Sequence, residues 1–436
     1  MVKNLYLRVQ RFPNGVIVMD KLGVAFIGAG FAANFHARGW VGVRNAEIVA
    51  ICDLAPERAK SFAARCRELG VGNPKTYTDI QETVRDPNVN AVWITVPNYA
   101  RLDVVKAIVE EVTQGKTNLV GIVCEKPLAT DLKTAKEMLQ LVEKAGLLHG
   151  YLENQVFAPA VVRGKEIVWR RGASITGRPY LARAAEEHSG PHSPWFWQPT
   201  KSGGGVLLDM MCHSHEAARF LLLSPDEDKS SLKPRAIAAE IASLKWTRPE
   251  YIKKLKESTG NVVDYSKEPA EDFARSNVIY EAEDGTLCIS DVTTSWCYTG
   301  PGLRLTFEVL GPEYCLQINT LQPGSYVFFS REVKGPQGED LVEKQLAEQG
   351  LMPVIPDESV AYGYQAEDRH MVESFLQRKM PFENWNDGVF VMELLMASYM
   401  AAEKGRKLKF PISGLEEYKP KVAKGEWKPR SVLEVE

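Results

Sequence analysis

Through the first third of the chain, short apolar runs alternate with stretches whose apolar residues recur at helical spacing. The apolar runs, each of strand length, lie at residues 24–27, 46–52, 91–96 and 119–124. The stretches with helical spacing lie at residues 34–40, 56–69, 79–85, 101–112 and 130–145. Strands that alternate with helices of this length are typical of a parallel, doubly wound sheet with helices on its faces.

After about residue 150, the apolar positions mostly recur at every second residue. Strands are predicted at residues 180–187, 236–241, 277–280, 286–290, 304–310 and 325–329, and helices at residues 206–223, 366–376 and 388–404. The tripeptide Glu283-Asp284-Gly285 lies between two of these strands and indicates a hairpin turn. This pattern predicts an α+β domain with a large, mainly antiparallel open sheet.

Three segments fall outside these patterns. Residues 5–9 and 16–19 are predicted to form two short strands around a turn at Asn14-Gly15, in an N-terminal extension of unassigned role. The polar stretch at residues 249–270 is predicted to be a surface insertion, and residues 335–360 are predicted to be a loop.

A glycine turn between the first strand and the first helix predicts a dinucleotide site. Gly28, Gly30 and Ala33 form a G-x-G-x-x-A pattern, which allows a tight turn and a close approach of the backbone to a pyrophosphate. Asp53 ends the next apolar run, where this fold places a carboxylate against a ribose hydroxyl. Because that carboxylate would repel a 2′-phosphate, we expect NAD as the cofactor, with Arg58 leaving NADP as the alternative.

The predicted fold class is therefore α/β, with two domains. An N-terminal Rossmann domain with a doubly wound parallel sheet and a short extension occupies residues 1–150, and the α+β domain occupies residues 151–436. A chain of 436 residues is long enough for two domains.

A lysine follows the strand predicted at residues 119–124, in the sequence Glu125-Lys126-Pro127. Ligands of open parallel sheets bind beyond the carboxyl ends of the strands, so this turn would bring the Lys126 ammonium to the cofactor crevice. The proline would fix a cis or otherwise rigid turn. The alternative is a solvated loop lysine.

A second cluster of candidate residues follows three glycines at residues 203–205. Asp209 and His213 are four residues apart on a predicted helix, so they share one face, and histidine suits proton exchange with a hydroxyl near neutral pH. The alternatives are a buried core histidine beside a capping carboxylate and, with His215, a metal site. Because His213 and His215 point to different helix faces and no further ligand set is evident, we predict no metal site.

Composition excludes several classes of protein. A net charge of −3 without a basic stripe argues against nucleic acid as a partner. No apolar run reaches the ~18 residues of a membrane span, and residues 1–22 lack the apolar core of a signal peptide, so a cytoplasmic protein without a membrane partner is expected. Seven scattered cysteines without a C-x-x-C pair predict reduced core thiols.

Taken together, these motifs resemble the Gfo/Idh/MocA family, named for glucose–fructose oxidoreductase, inositol dehydrogenase and rhizopine catabolism. The resemblance covers roughly residues 22–412 and rests on the glycine fingerprint, the Glu-Lys-Pro turn, and the glycine-rich turn before Asp and His. It also includes Ala270-Glu271-Asp272-Phe273, at the start of a second-domain strand. It implies a homo-oligomer, a dimer or tetramer, for which the strands at residues 304–309 and 326–329 are the candidate surface.

The resemblance and the motifs give three sets of expected site residues. The catalytic set is Lys126, Asp209 and His213. The cofactor set is Gly28, Gly30, Phe31, Ala32, Ala33, Asp53, Arg58, Val96, Pro97, Asn98, Glu125 and Lys126. The substrate set is Lys126, Gln155, His188, His192, Trp195, Trp197, Asp209 and His213.

Two departures from the family pattern bear on the substrate. Arg101 stands where the family often has a histidine, and residues 153–159 lack an arginine that often precedes the Phe-x-Pro of the domain junction. The aromatic segment at residues 188–197 is a further difference, suited either to stacking on a sugar face or to a hydrophobic plug or subunit contact.

The resulting hypothesis is an NAD(P)-dependent dehydrogenase that oxidises a secondary hydroxyl of a sugar, glycoside or polyol. His213 would take the hydroxyl proton, Lys126 would stabilise the oxygen, and Asp209 would orient the substrate and tune His213. One alternative is a redox-neutral enzyme that processes a glycoside through transient oxidation of the sugar. Another is a non-catalytic sugar or dinucleotide sensor, which would not need all three residues.

Overall fold

The computed structural model describes residues 9–11, 17–19, 21–225, 227–322, 326–329, 350–355 and 357–430. The chain forms two compact units, neither of which is continuous in sequence. The first comprises Met1–Ala129, Lys133–Ala158 and Tyr362–Val389, and the second comprises Thr130–Leu132, Pro159–Ala361 and Phe390–Glu436. The predicted division at residue 150 falls inside the second segment of the first unit.

Two short strands precede the first sheet. Strands β1 (Val9–Arg11) and β2 (Ile17–Met19) pair antiparallel, with Val9 opposite Met19. The predicted turn at Asn14-Gly15, like most of the first strand predicted at residues 5–9, lies outside the described residues.

The first unit contains a six-stranded parallel sheet in the order β5-β4-β3-β6-β7-β8. Its strands are β3 (Leu22–Ile27), β4 (Ala46–Cys52), β5 (Lys75–Tyr77), β6 (Ala91–Ile94), β7 (Gly121–Glu125) and β8 (Leu148–Leu152). The helices between them are α1 (Phe31–Gly39), α2 (Pro56–Glu68), α3 (Ile80–Arg85), α4 (Arg101–Thr113) and α5 (Leu132–Lys144). The predicted doubly wound parallel sheet is confirmed, and β5 and β8 are additions to it.

The second unit begins with helices and then builds its sheet. Its helices are α6 (Pro159–Ile167), α7 (Ser174–Thr176), α8 (Pro199–Ser202), α9 (Val206–Leu222), α10 (Pro249–Ser258) and α11 (Glu358–Ala361). Its strands are β9 (Leu181–Glu187), β10 (Lys233–Ala242), β11 (Phe273–Glu281), β12 (Leu287–Ser295), β13 (Arg304–Gly311), β14 (Tyr314–Asn319), β15 (Tyr326–Phe329) and β16 (Gly350–Pro353).

Three elements follow β16 and α11 along the chain: α12 (Tyr364–Leu376), α13 (Trp385–Lys404) and β17 (Leu408–Lys409). Helix α12 belongs to the first unit. There Phe375 and Met371 of α12 join a buried cluster with Phe26, Trp40 and Trp93.

The second sheet has seven strands in the order β14-β13-β9-β12-β11-β10-β17. All neighbours are antiparallel except β9 and β12. The predicted, mainly antiparallel sheet is therefore confirmed. Helix α9 packs along β9, β12 and β11, and every one of its residues is buried.

Three sequence predictions for the second unit need correction. The apolar residues of β13, Leu305, Phe307 and Val309, are buried, so they belong to the core rather than to an exposed apolar face. Residues 249–270 are not a purely surface insertion, because they include α10 and bury Leu255 and Tyr265. Residues 335–360, predicted to be a loop, include the strand β16, whose four residues pair antiparallel with those of β15.

Within the described part of the chain, no helix is both long and apolar enough to cross a membrane. The seven cysteines are free thiols; five are buried, Cys297 is half-buried and Cys315 is exposed. The expectation of core thiols is therefore wrong for Cys315, which lies on β14 at the edge of the second sheet.

Candidate functional site

The glycine turn of the first unit leaves room for a ligand at a helix N-terminus. Gly28 has a φ of +103°, and a Cβ atom there would lie 2.9 Å from the Thr95 carbonyl carbon and the Val96 nitrogen. Gly30 is the N-cap residue of α1 and has no side-chain cap, and a Cβ atom on it would meet nothing within 4 Å. The N–H groups of a helix start attract anions, so this open turn fits a pyrophosphate. Phe31 is 48% exposed beside it, whereas Ala33 is buried in the core.

Asp53 links the end of β4 to the glycine turn. Its Oδ2 accepts a 2.9 Å hydrogen bond from the Ala29 nitrogen, and its Oδ1 accepts from the Ala55 nitrogen at 2.8 Å and from Arg58 Nη2 at 2.9 Å. A carboxylate has about four lone-pair sites, so Oδ2 retains an acceptor position for a ribose hydroxyl. These residues fit NAD, and the ion pair holds the Arg58 guanidinium against the Asp53 carboxylate.

The turns after β6 and β7 lie side by side because these strands are neighbours in the sheet. Val96 and Pro97 are half-buried and Asn98 is buried in the first turn; Lys126 is half-buried in the second. The Lys126–Pro127 peptide bond is cis, one of the two forms of turn expected from the sequence. The carboxyl ends of β3, β6 and β7 thus place the glycine turn and Lys126 at one edge of the first sheet.

Glu125 is buried and holds its own turn. Its Oε2 accepts from the Lys126 nitrogen at 3.0 Å, and its Oε1 lies 2.9 Å from His36 Nε2. Burial alone would raise the pKa of Glu125, but the hydrogen bond from His36 and the positive charges of His36, Lys126 and Arg101 hold it below its usual value. Glu125 is therefore a buried anion.

In the second unit, α9 carries Asp209 and His213, and both are buried. His213 Nε2 lies 4.0 Å from Glu186 Oε2 of β9, a carboxylate that the sequence analysis missed. The only signal for it in the sequence is its place in the two-residue alternation of β9. His215 is also buried, and this lowers its pKa to about 3, which makes it a neutral core histidine.

The N-terminus of α9 is held by Glu271, which lies just before β11. Glu271 Oε1 accepts hydrogen bonds from the Gly205 nitrogen at 2.9 Å, the Leu207 nitrogen at 3.1 Å and the Tyr399 hydroxyl at 2.6 Å. Burial raises the pKa of Glu271 to about 7. Gly203, with a φ of +93°, allows the turn that leads into the helix.

The residues expected to contact substrate differ in exposure. Gln155 is buried in a short 3-10 helix of the first unit, Asn154–Phe157. In the second unit, His188 is buried and its Nδ1 accepts from the Gly190 nitrogen at 2.9 Å, whereas His192 is exposed. Trp195 is half-buried and stacks on Phe196 with 3.6 Å between ring centroids.

Trp197 packs in the core of the second unit. It is 5% exposed, and its Nε1 donates to the Pro191 carbonyl at 3.0 Å. Its ring packs against Trp246, Trp296 and Tyr265. This packing gives Trp197 a structural role in the second unit, and of the four substrate candidates in the aromatic segment His192 and Trp195 are the more exposed.

The expected site residues are thus divided between the units. The first unit contains the whole cofactor set together with Gln155, and the second contains Asp209, His213, His188, His192, Trp195 and Trp197. Sequence reasoning did not find Glu186, nor the supporting contacts of His36, Arg101 and Glu271.

Two family models match this chain. Residues 22–151 match the family model described as the oxidoreductase family, NAD-binding Rossmann fold, and residues 173–316 match the GFO/IDH/MocA C-terminal domain. The chain is 30% identical over 213 residues to 1,5-anhydro-D-fructose reductase of Ensifer adhaerens, covering 47% of this chain and 57% of that protein. It is 29% identical over 199 residues to scyllo-inositol 2-dehydrogenase (NAD(+)) of Bacillus subtilis, covering 45% and 53%.

The matches to these curated relatives therefore span little more than half of their length. The crystal structure of GenD2 from gentamicin A biosynthesis in complex with NAD has the same fold, with a TM-score of 0.71 and 24% identity over 92% of this chain and 99% of that one. Since the two family models together cover residues 22–151 and 173–316, this chain belongs to the Gfo/Idh/MocA oxidoreductase family.

Proposed function

We propose that this protein is an NAD-dependent dehydrogenase that oxidises a secondary hydroxyl of a sugar, glycoside or polyol. The observation that carries the proposal is the carboxyl-end edge of the first sheet, where the glycine turn follows β3 and Lys126 follows β7, two strands separated only by β6. In open parallel sheets this edge binds the ligand. The bound nicotinamide would supply the hydride chemistry.

In this proposal, the side chains of the protein handle the hydroxyl group. The ammonium of Lys126 donates a hydrogen bond to the hydroxyl oxygen and stabilises the negative charge that develops there. His213 accepts the hydroxyl proton, and Glu186, 4.0 Å from His213 Nε2, stabilises the imidazolium that results. Asp209 orients the substrate, and Trp195 offers a ring face to the sugar.

The substrate class is supported by the names of the relatives. One is a reductase of 1,5-anhydro-D-fructose, one a dehydrogenase of scyllo-inositol and one a D-glucoside 3-dehydrogenase of Escherichia coli. All act on carbohydrates or cyclic polyols. We extend that class to this chain, with NAD preferred over NADP because of Asp53.

We further propose a cytoplasmic homo-oligomer. Seven free thiols suit a reducing compartment. In the second sheet, α9 covers one face, while the other carries Leu287 and Ile289, which are 58% and 39% exposed. Light scattering coupled to size-exclusion chromatography, on the full chain and on Ile289→Glu, would test the oligomer, which we expect the substitution to weaken.

The function is tested by following NADH formation with a panel of sugars, glycosides and inositols. We expect turnover of at least one of them, which Lys126→Ala and His213→Ala each reduce by about 100-fold or more. NADH binding should be unchanged in His213→Ala and still measurable in Lys126→Ala, since Lys126 is also in the expected cofactor set. Lys116→Ala, at an exposed lysine, is the matched control and should be fully active. Product formed without net NADH would favour redox-neutral glycoside processing. NADH binding without turnover across the panel would favour a sensor.

A further inference from the structure

Two buried basic side chains hold the turn that presents Lys126. One is Arg101, the first residue of α4, and the other is His36 of α1. Building on the proposed function, we propose that both are positioning residues, which fix the place of the Lys126 ammonium without touching the substrate.

Arg101 bonds to the backbone of both turns at the edge of the first sheet. It is 4% exposed, its Nε donates to the Val96 carbonyl at 3.0 Å, and its Nη2 donates to the Lys126 carbonyl at 3.3 Å. Its Nη1 donates to the carbonyls of Glu125 and Pro127. A planar guanidinium can serve four carbonyls at once, whereas a lysine at this position would be a single point charge. Arg101 therefore joins the turn after β6 to the turn after β7.

His36 holds the side chain of Glu125 rather than its backbone. It is fully buried, with Nε2 2.9 Å from Glu125 Oε1 and Nδ1 2.9 Å from Asp368 Oδ1. Burial raises the pKa of Asp368, while the charge of His36 and the hydrogen bonds from His36 and Trp93 lower it. With both carboxylates ionised each can only accept, so we assign a proton to each ring nitrogen, which makes His36 an imidazolium. Burial lowers the pKa of His36, but the two carboxylates outweigh it and raise the pKa well above its usual value.

The charges around His36 come from two elements. Glu125 faces it from the end of β7, and Asp368, which also accepts from Trp93 Nε1 at 2.9 Å, faces it from α12. Glu367 of α12 is the third acid, and neither of its oxygens has a hydrogen-bond partner in the described part of the chain. Burial raises the pKa of Glu367 well above its usual value, which favours its neutral form.

The contact between His36 and Glu125 involves α1, the helix that begins at the glycine turn. Its N-terminus, at Gly30, is where a pyrophosphate fits, and the same helix carries the imidazole that holds Glu125. Glu125 in turn bonds the Lys126 nitrogen. One rigid helix therefore places both the cofactor end of the site and the lysine, and errors of about 1 Å in such placement cost on the order of 100-fold in rate.

The protonation of His36 is tested by nitrogen-15 NMR of the full chain with labelled histidines. At about pH 8, well above the ordinary histidine pKa of about 6.5, we expect one ring that carries both protons. That signal should vanish in His36→Gln and titrate at lower pH in Asp368→Asn. Glu367→Gln, which changes the third buried acid of this cluster to an amide of nearly the same shape, is the matched control, in which the signal should persist. A ring with one proton, neutral or bound to a metal ion, would overturn the assignment.

The positioning role is tested with Arg101→Lys and His36→Gln. We expect crystal structures of both variants to show the turn at residues 125–127 displaced by about 1 Å or more, and kcat to fall by about 10- to 100-fold. KM for the carbohydrate should stay within about twofold, and Glu367→Gln should retain wild-type kcat. An undisplaced turn in both variants would refute the inference. A wild-type protein that oxidises no carbohydrate would instead refute the proposed function, while the turn would still report on this inference.

Discussion

The hydroxyl of Tyr399 donates a 2.6 Å hydrogen bond to Glu271 Oε1, the same oxygen that accepts from the Gly205 and Leu207 nitrogens. A helix start leaves several N–H groups without partners inside the helix. At α9 a buried carboxyl group from another part of the chain, oriented by a tyrosine, bonds to the backbone there. The helix that carries Asp209 and His213 thus depends on a titratable group.

We predict that Glu271 makes stability depend on pH. Burial raises the pKa of Glu271 from 4.5 to about 7, so between these values the folded state binds a proton that the unfolded chain has released. The free energy of unfolding should therefore fall as pH rises through this window. Glu271→Gln cannot ionise, so its destabilisation relative to wild type should shrink by roughly 2–3 kcal/mol between about pH 5 and pH 8. Urea unfolding at both pH values measures this.

The control for this experiment is Glu257→Gln, at an exposed glutamate of α10. Its difference from wild type should be small and nearly the same at both pH values. Equal destabilisation by Glu271→Gln at both pH values would contradict the raised pKa.

Two glycines of the cofactor turn should respond differently to alanine. Gly28→Ala places a Cβ atom 2.9 Å from backbone atoms at a φ of +103°, so we expect a loss of about 2 kcal/mol or more and a lower Tm. Gly30→Ala meets open space in the free protein, so its Tm should stay near wild type while NADH binds at least about tenfold more weakly. Thermal unfolding and NADH fluorescence titration separate the two effects. Unchanged NADH affinity in Gly30→Ala would place the pyrophosphate elsewhere.

Asp53 and Arg58 should together set the choice between the two cofactors. Asp53→Ala removes the carboxylate that repels a 2′-phosphate and frees the Arg58 guanidinium, now 2.9 Å from Asp53 Oδ1. We expect the ratio of the Kd for NADPH to that for NADH to fall by about tenfold or more. Adding Arg58→Ala should reverse most of that change. A loss of affinity common to both cofactors does not change this ratio. A constant ratio would show that Asp53 does not discriminate between NADPH and NADH.

Substitution of two tryptophans of the aromatic segment should distinguish a ring that packs in the core from one that contacts the substrate. Trp197→Ala empties a buried site among three aromatic rings, so we expect a loss of about 3–5 kcal/mol in the free energy of unfolding. Trp195→Ala, at a half-buried position, should cost little stability but raise KM for the carbohydrate several-fold. If Trp195→Ala leaves KM unchanged, its ring serves another purpose, such as a subunit contact.

The spacing of apolar residues was sufficient to predict both sheets. Buried parallel strands are continuous apolar runs, whereas half-buried antiparallel strands alternate apolar and polar residues. Strands β14 and β17 of the second sheet were not predicted. The two strands missed in the first sheet lack those patterns. β5 is a three-residue edge strand of largely exposed polar residues, and β8 contains His149 and Gly150. Gly150 is needed there because a Cβ atom would lie 2.5 Å from the Met371 sulfur of α12, a contact that no local pattern announces.

The candidate site was predictable only where chemistry follows a local motif. Gly28, Asp53 and Lys126 stand at strand ends with recognisable neighbours. The groups that support the site follow no local motif, because their contacts join residues that are far apart in sequence. Glu271 lies 66 residues from Gly205, and Asp368 lies 332 residues from His36. Arg101 was noticed only as a departure from a family pattern, whereas its hydrogen bonds show what it does.

Residues 362–389 belong to the first unit although they follow most of the second unit in sequence, and this order affects folding during synthesis. During translation the nucleotide-binding half emerges early, but Asp368, the partner of His36 and Trp93, leaves the ribosome only after every strand of the second sheet except β17 has been synthesised. Until then the nascent half exposes the apolar surface that Met371 and Phe375 later cover. A truncated chain that ends before α12 should therefore aggregate or depend on chaperones, and should not fold as an independent nucleotide-binding domain.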